Sequence, residues 1–214
     1  DDPTIANSLT LEGRYVSARS IGNTARLVLT SPQQQLGFLY PSGPASEQTA
    51  TDANRALIAS TTIDDWLPTY TFEGADGVVS DTIVPCEDVY LPANFAGFDM
   101  LSVVSIGLGG PLGAPIGTST VMAAGDTVYA SQDRLYVSTN VWNPIVDESS
   151  EQWLGENYET AIHRFSIADD APAVYEGSGT VEGHLLNQFS MNDRDGTFYV
   201  ATTKGAPWSD GTES

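Results

Sequence analysis

Short runs of alternating apolar and polar residues recur along most of the chain, and they are rich in β-branched and aromatic side chains. A period of two residues is typical of strands with one buried face. The dipeptides Gly22-Asn23, Gln132-Asp133 and Asp195-Gly196 separate neighbouring runs, and the last favours a type I′ hairpin turn. We therefore predict a succession of antiparallel hairpins. The predicted strands are residues 14–19, 25–30, 101–106, 127–131, 134–139, 161–167, 174–177 and 197–203.

Three segments interrupt this pattern. Residues 46–60 lack proline and contain alanines beside Leu57 and Ile58, which predicts a short helix, and residues 63–67 predict a helical turn ended by Pro68. Residues 72–86 form a connection rich in glycine and acids. Residues 142–159 carry five acids among aromatic residues and predict a long acidic loop. We expect one domain over residues 1–214, with a helical insertion near 46–67 and an acidic loop near 142–159.

The second half of the chain carries a faint repeat. A unit of short strand, hairpin, long loop and outer strand runs from Val121 to Ile167, and it recurs loosely from Val174 to Thr203. A repeat of about 40–50 residues with four strands matches a propeller blade. We therefore favour an all-β fold of antiparallel propeller blades, partial or incomplete, over a sandwich or a barrel. An open fan exposes unpaired strand edges, so we expect further chain, another subunit or a capping loop to complete them.

The net charge of the chain excludes some classes of binding partner. Twenty-eight acids against eight bases give a formal net charge of −20, which disfavours nucleic acid and anionic membrane surfaces. Residues 100–125 are uncharged, but their six glycines, Pro111 and Pro115 argue against a membrane span in this segment. The first residues do not resemble an export leader. Cys86 is the only cysteine, so no internal disulfide can form, and it is either a buried thiol or paired outside this stretch.

One motif resembles a known family. It spans Gly179 to Met191 (GTVEGHLLNQFSM) and ends in Val200 to Thr203 (VATT). These residues resemble the signature of the secreted bacterial and archaeal beta-propeller domain family. The resemblance implies an exported propeller without established enzymatic activity, of which this chain is a middle portion. Asn192 and Tyr199 depart from the pattern, which has an acid and an arginine there. Further agreement lies at residues 13–19, 65–68, 86–92 and 128–131.

Catalytic equipment is sparse in the sequence. His163 alternates with apolar residues, which predicts a hydrogen-bonded core histidine, and His184 lies in a turn where we expect it to be more accessible. No nucleophile elbow, zinc-protease helix or phosphate-binding loop occurs. We therefore predict no catalytic residue.

Two sets of residues are candidates for binding. Calcium prefers several oxygen ligands, and it is the one cofactor that the acidic segments suggest. Its candidate ligands are Asp193 and Asp195, with a plain hairpin turn as the alternative, and Asp147 and Glu148, with a solvated acidic loop as the alternative. Exposed loop aromatics would suit sugar stacking or a protein hot spot, whereas packing on the sheet is the alternative. These aromatic candidates are Trp142, Trp153, Tyr158 and Trp208.

Two functional hypotheses follow. The first is a non-enzymatic interaction or structural module, extracellular or at the cell surface, whose partner is another protein or further blades of a longer chain. The second is a secreted carbohydrate-binding or hydrolase propeller that uses loop carboxylates. A pocket with two carboxylates and an exposed tryptophan would favour the second, and loops packed into a neighbour would favour the first.

Overall fold

The computed structural model describes residues 4–32, 36–147, 152–168 and 171–205, without the side chains of 44–45, 142–147 and 152–157. Strands dominate this part of the chain. The first half contains β1 (Ser8–Leu11), β2 (Arg14–Ile21), β3 (Thr24–Ser31), α1 (Pro44–Ser60), β4 (Thr69–Gly74), β5 (Gly77–Thr82), β6 (Val89–Tyr90) and β7 (Met100–Gly107). The second half contains β8 (Gly117–Met122), β9 (Thr127–Ala130), β10 (Arg134–Asp147), β11 (Gln152–Ser166), β12 (Val174–Glu182), β13 (Met191–Arg194) and β14 (Thr197–Val200).

Two four-stranded antiparallel meanders form complete blades. The first has the order β2-β3-β7-β8, with β6 added in parallel beside β8, and the second has the order β9-β10-β11-β12. A hairpin of β13 and β14 follows, joined by Asp195 (φ 53°) and Gly196 (φ 76°). Positive φ at both positions is what a type I′ turn requires, as the sequence predicts.

The blades are arranged as a fan. Among their first strands, β9 lies between β2 and β13 and contacts both, and the last strands β8 and β12 are also in contact. Alternate side chains of facing blades interlock between the first and the second blade. This core consists mainly of Val28, Leu101, Val103, Val121, Val128, Leu135, Val137, Ala161, Phe165 and Ile167. Burial of these apolar side chains is the main force that holds the blades together.

The opposite face of the first blade is covered by the chain itself. The insertion between β3 and β7 contains α1 and then the hairpin of β4 and β5. In this hairpin β4 also pairs with β1, which gives a three-stranded sheet. Leu9 and Ile83 from this side pack against Leu29 and Val104 of the blade. The sheet therefore supplies the apolar cover that a neighbouring blade would provide.

The fold class agrees with the sequence prediction. The described residues form antiparallel sheets with one helix, in an open fan that does not close into a ring. The predicted helix at 46–60 corresponds to α1, which begins at Pro44, directly after Gly43. Proline suits the first turn of a helix because its missing N–H has no intrahelical partner there. No helix in the described ranges is both long enough and apolar enough to span a bilayer.

Two segments predicted as connections are strands instead. Residues 142–147 continue β10 and residues 152–159 belong to β11, and Trp142 is the cross-strand partner of Tyr158. Residues 77–82, within the predicted connection 72–86, form β5. Backbone pairing across the sheet overrides turn-favouring local composition, because β-propensity depends strongly on context.

Candidate functional site

Asp193, a predicted calcium ligand, links the second blade to the β13–β14 hairpin. Its Oδ2 accepts hydrogen bonds from Tyr136 Oη and Ser131 Oγ, both at 3.0 Å, and lies 3.9 Å from Arg134 Nη1. Only 6% of its side chain is exposed. The carboxylate is therefore hydrogen-bonded by two hydroxyl groups and lies near one guanidinium group.

The other predicted calcium ligands do not gather around Asp193. Asp195 lies at the exposed tip of the hairpin and forms an ion pair with Arg194 at 3.3 Å. Asp147 ends β10 and its side chain is not described, while Glu148 lies outside the described residues. Within the described ranges, no three His, Cys, Asp or Glu side chains are placed to hold a metal ion. Calcium binding at Asp193 and Asp195, and at Asp147 and Glu148, stays a prediction.

Tyr136 is the centre of this contact between blades. Its ring stacks on Phe198 with centroids 4.0 Å apart, and burial, reinforced by the hydrogen bond to Asp193, raises its pKa to about 12. The Asp193 backbone N–H donates to Tyr129 Oη at 3.0 Å. The contact therefore combines aromatic stacking with a closed polar network, which fixes the hairpin against β9 and β10.

Of the predicted aromatic binding residues, one is buried and the side chains of the other three are not described. Tyr158 is only 5% exposed, so it belongs to the interior and does not present its ring to a ligand. Trp142 and Trp153 lie in β10 and β11, with side chains outside the description, and Trp208 lies outside the described residues. Any binding role of these three tryptophans stays a prediction.

The structure also shows how far the two histidines and the cysteine are buried. His163 is fully buried between the blades, and its Nδ1 lies 3.4 Å from Tyr175 Oη. This agrees with the predicted core histidine. His184, expected to be accessible, is buried with its Nδ1 3.2 Å from the Gly205 carbonyl oxygen, because its turn pairs with residue 203. The Cys86 thiol is free and exposed, so the expectation of a buried thiol is wrong.

A trough runs across the second blade on the side away from the first blade. We call this surface the open face. Gly177 and Gly179 of β12 stand opposite Arg164 and Ile162 of β11, so two side chains are missing from the strand. A Cβ atom on either glycine would meet nothing within 4 Å. The trough has a volume of about 470 Å³, and the β13–β14 hairpin borders it at Phe198.

A second depression lies where the first strands meet. We call it the inner groove: about 390 Å³ between Val16 and Ser17 of β2, residues 126–128 at β9, and residues 186–189. Leu186 and Phe189 on its rim are 79% and 86% exposed.

Arg19 ties the three sides of the inner groove together. Its guanidinium donates to Ser17 Oγ (2.7 Å), the Ala18 carbonyl (2.8 Å), the Val128 carbonyl (3.2 Å) and Gln188 Oε1 (3.1 Å). Five N–H donors in a rigid plane allow one side chain to serve all these acceptors. The floor of the groove is therefore held in one geometry.

Comparison with known families decides the identity of the fold. A family model described as the beta propeller domain matches residues 1–214. The chain belongs to this beta-propeller domain family. A search of curated proteins and a search of solved structures both returned no match.

Neither the open face nor the inner groove was predicted from the sequence. The alternation of Gly177 and Gly179 is a signal that could have revealed the trough, since glycine inside a strand often marks a close approach by another group. For the inner groove, the signal is Leu186 and Phe189 beside Asn187, in a segment without strand alternation. That segment belongs to the motif by which the sequence resembles its family.

Proposed function

We propose that this propeller is a non-enzymatic structural and interaction module that binds additional protein strands at its open face. The observation that carries the proposal is the trough at Gly177 and Gly179, where the missing side chains leave a depression of about 470 Å³ lined also by Ile162 and Val181. The other side of the same blade is sealed by interlocking apolar side chains. On the open face the second blade contacts the β13–β14 hairpin at Tyr136, and the rest of that surface is suited to the missing part of a further blade.

The edge of β14 supports the same proposal. In the described part of the chain, the third blade consists of β13 and β14, and β14 pairs with β13 alone. An edge strand presents N–H and C=O groups that can pair with another chain. A hairpin added beside β14 would bring its second strand over the trough, as β11 and β12 extend the second blade.

We also propose that the module works outside the cell or at its surface. The net charge of −20 supports solubility and discourages contact with nucleic acid and anionic lipid. The acceptor for the open face would then be a protein, either further blades of a longer chain or a separate partner.

The experiment measures self-association, since exposed edges of identical copies are the partners present in a pure sample. Light scattering after size exclusion, from low to high micromolar protein, should show oligomers of the wild type. Gly179→Arg should shift the sample towards monomer, because the arginine fills the trough without a clash in the fold. Gly110→Arg, also free of neighbours within 4 Å, is the matched control and should behave as wild type. A wild type that is monomeric throughout, or a Gly179→Arg variant that associates equally, would contradict the proposal.

A hydrolase is the second candidate, and one pair of carboxylates favours it. Burial raises the pKa of Asp99; the Arg14 guanidinium opposes this effect and the Asp126 carboxylate adds to it. A carboxyl group with a raised pKa beside a second carboxylate is the pattern of an acid–base pair. The measurement is release of reducing ends from neutral polysaccharides by the wild type and by Asp99→Asn. Activity that Asp99→Asn abolishes would support the hydrolase, and an inactive wild type would exclude it for those substrates.

A further inference from the structure

The inner groove combines one exposed ring with flat polar side chains. Phe189 is 86% exposed on the rim, and the amides of Asn187 and Gln188 flank it. The Asp126 carboxylate and the Thr127 hydroxyl lie on the β9 side. The volume of about 390 Å³ falls in the usual range for small-ligand sites. Such a mixture suits a ligand with an apolar face and a hydroxylated perimeter.

Internal hydrogen bonds decide which atoms the groove offers. Gln188 Oε1 accepts from Arg19 at 3.1 Å, and Asn187 Oδ1 accepts from the Phe189 backbone N–H at 2.9 Å. Both amide oxygens are thus engaged, and the amide nitrogens are the donors that remain for a ligand. Asp126 Oδ2 accepts from Thr139 Oγ1 at 2.9 Å, which fixes the carboxylate as an acceptor. Two donors and an acceptor held in place match neighbouring hydroxyl groups of a sugar, because preorganised groups lose little entropy on binding.

Charge and backbone geometry argue against two other ligand classes. The exposed Asp126 carboxylate, on a protein of net charge −20, repels anions. A peptide strand would pair with the edges of β2 and β9, but Arg19 already occupies the Ala18 and Val128 carbonyls there. With anions and peptide strands disfavoured, the groove suits a neutral ligand that does not pair with a strand edge.

We propose that the inner groove binds a neutral oligosaccharide, with one sugar ring stacked on Phe189 and its hydroxyls held by Asn187, Gln188 and Asp126. The site involves no residue of the open face, so this inference does not depend on the structural role proposed above.

Isothermal titration calorimetry with five neutral probes tests the proposal: the hexasaccharides of maltose, cellulose, xylan, mannan and chitin types. At least one should bind the wild type in the millimolar range or tighter. Phe189→Ala should weaken that binding about tenfold, since an aromatic contact contributes up to a factor of ten. Phe189→Trp should retain it, because the larger ring preserves the stacking surface. Asp126→Ala should weaken it as well.

The controls separate the groove from general effects. Tyr40 is 77% exposed and lies outside the groove, so Tyr40→Ala should bind as wild type does. Gly179→Arg should also keep sugar binding, which distinguishes failure here from failure at the open face. Thermal unfolding curves of Phe189→Ala should overlay those of the wild type, since its ring is exposed. No heat with any probe at millimolar concentration, or equal affinity of Phe189→Ala, overturns the proposal.

Discussion

Acidification should weaken the propeller through His163. This residue of β11 is fully buried between the two complete blades, and its Nε2 has no hydrogen-bond partner among the described residues. Burial lowers its pKa from 6.5 to about 4, because the charged imidazolium would lose its hydration. Tyr175 Oη, 3.4 Å from Nδ1, is its polar neighbour.

The sign and size of the effect follow from proton binding. The unfolded chain takes up a proton at His163 below pH 6.5, whereas the folded chain does so only near pH 4. The stability contributed by the neutral ring is therefore complete above pH 6.5 and is lost as the pH falls from 6.5 to 4. The interval between these pKa values corresponds to about 3 kcal/mol of unfolding free energy.

Chemical denaturation at several pH values between 4 and 8 measures this loss. Protonation of the many carboxylates adds its own pH dependence, so the quantity of interest is the difference between wild type and His163→Phe. The variant should lack about 3 kcal/mol of the decrease in stability between pH 6.5 and 4. Val137, the cross-strand partner of His163, provides the control: Val137→Ala should lower stability and keep the wild-type pH dependence. Identical pH dependence in wild type and His163→Phe would refute this reasoning.

Two further predictions concern how the blades are joined. Asp193→Ala leaves the hydroxyls of Tyr136 and Ser131 without their acceptor, so it should lower the free energy of unfolding by about 2 kcal/mol. A double-mutant cycle with Tyr136→Phe, measured by denaturant unfolding, should show coupling between the two residues. Purely additive effects would rule out the link. A Cβ at Gly125 would lie 2.8 Å from Leu101 Cδ1 and 2.9 Å from Val137 Cγ1, so Gly125→Ala should cost about 1–3 kcal/mol in denaturant unfolding. Gly110→Ala, with open space around its Cβ, is the control, and equal stability of the two variants would contradict the crowding at Gly125.

The strand pattern was predictable where each strand has one buried face or a recognisable turn. The hairpins at Gly22 and at Asp195-Gly196 carry their own signal, since positive φ favours these residues. β5 has no such signal, because Gly77 to Asp81 are all exposed and no apolar alternation marks the strand. The ends of β10 and β11 are not predictable from the sequence, because Pro144 and Gly155 favour turns locally although the ladder between the strands continues past them.

The candidate site was less predictable than the fold. The alternation of oxygen-bearing residues around Asp193 predicts a cation ligand, but it is also the pattern of an ordinary hairpin. Its actual partners, Tyr136 and Ser131, are 57 and 62 positions away in sequence. No local rule connects residues at that separation.

The sequence by itself determined the class of the propeller: alternating strands, tight turns, one helical insertion and a strongly acidic surface. These features depend on residues close together in the chain, whose backbone preferences and turn chemistry act locally. Only the tertiary structure decided which faces are covered. It placed the insertion over the first blade, left the trough at Gly177 and Gly179 open, and gathered Arg19, Asp126 and Phe189 around one groove. The reason is physical: burial and hydrogen bonding between blades are set by how sheets pack, and packing joins residues that the sequence keeps far apart.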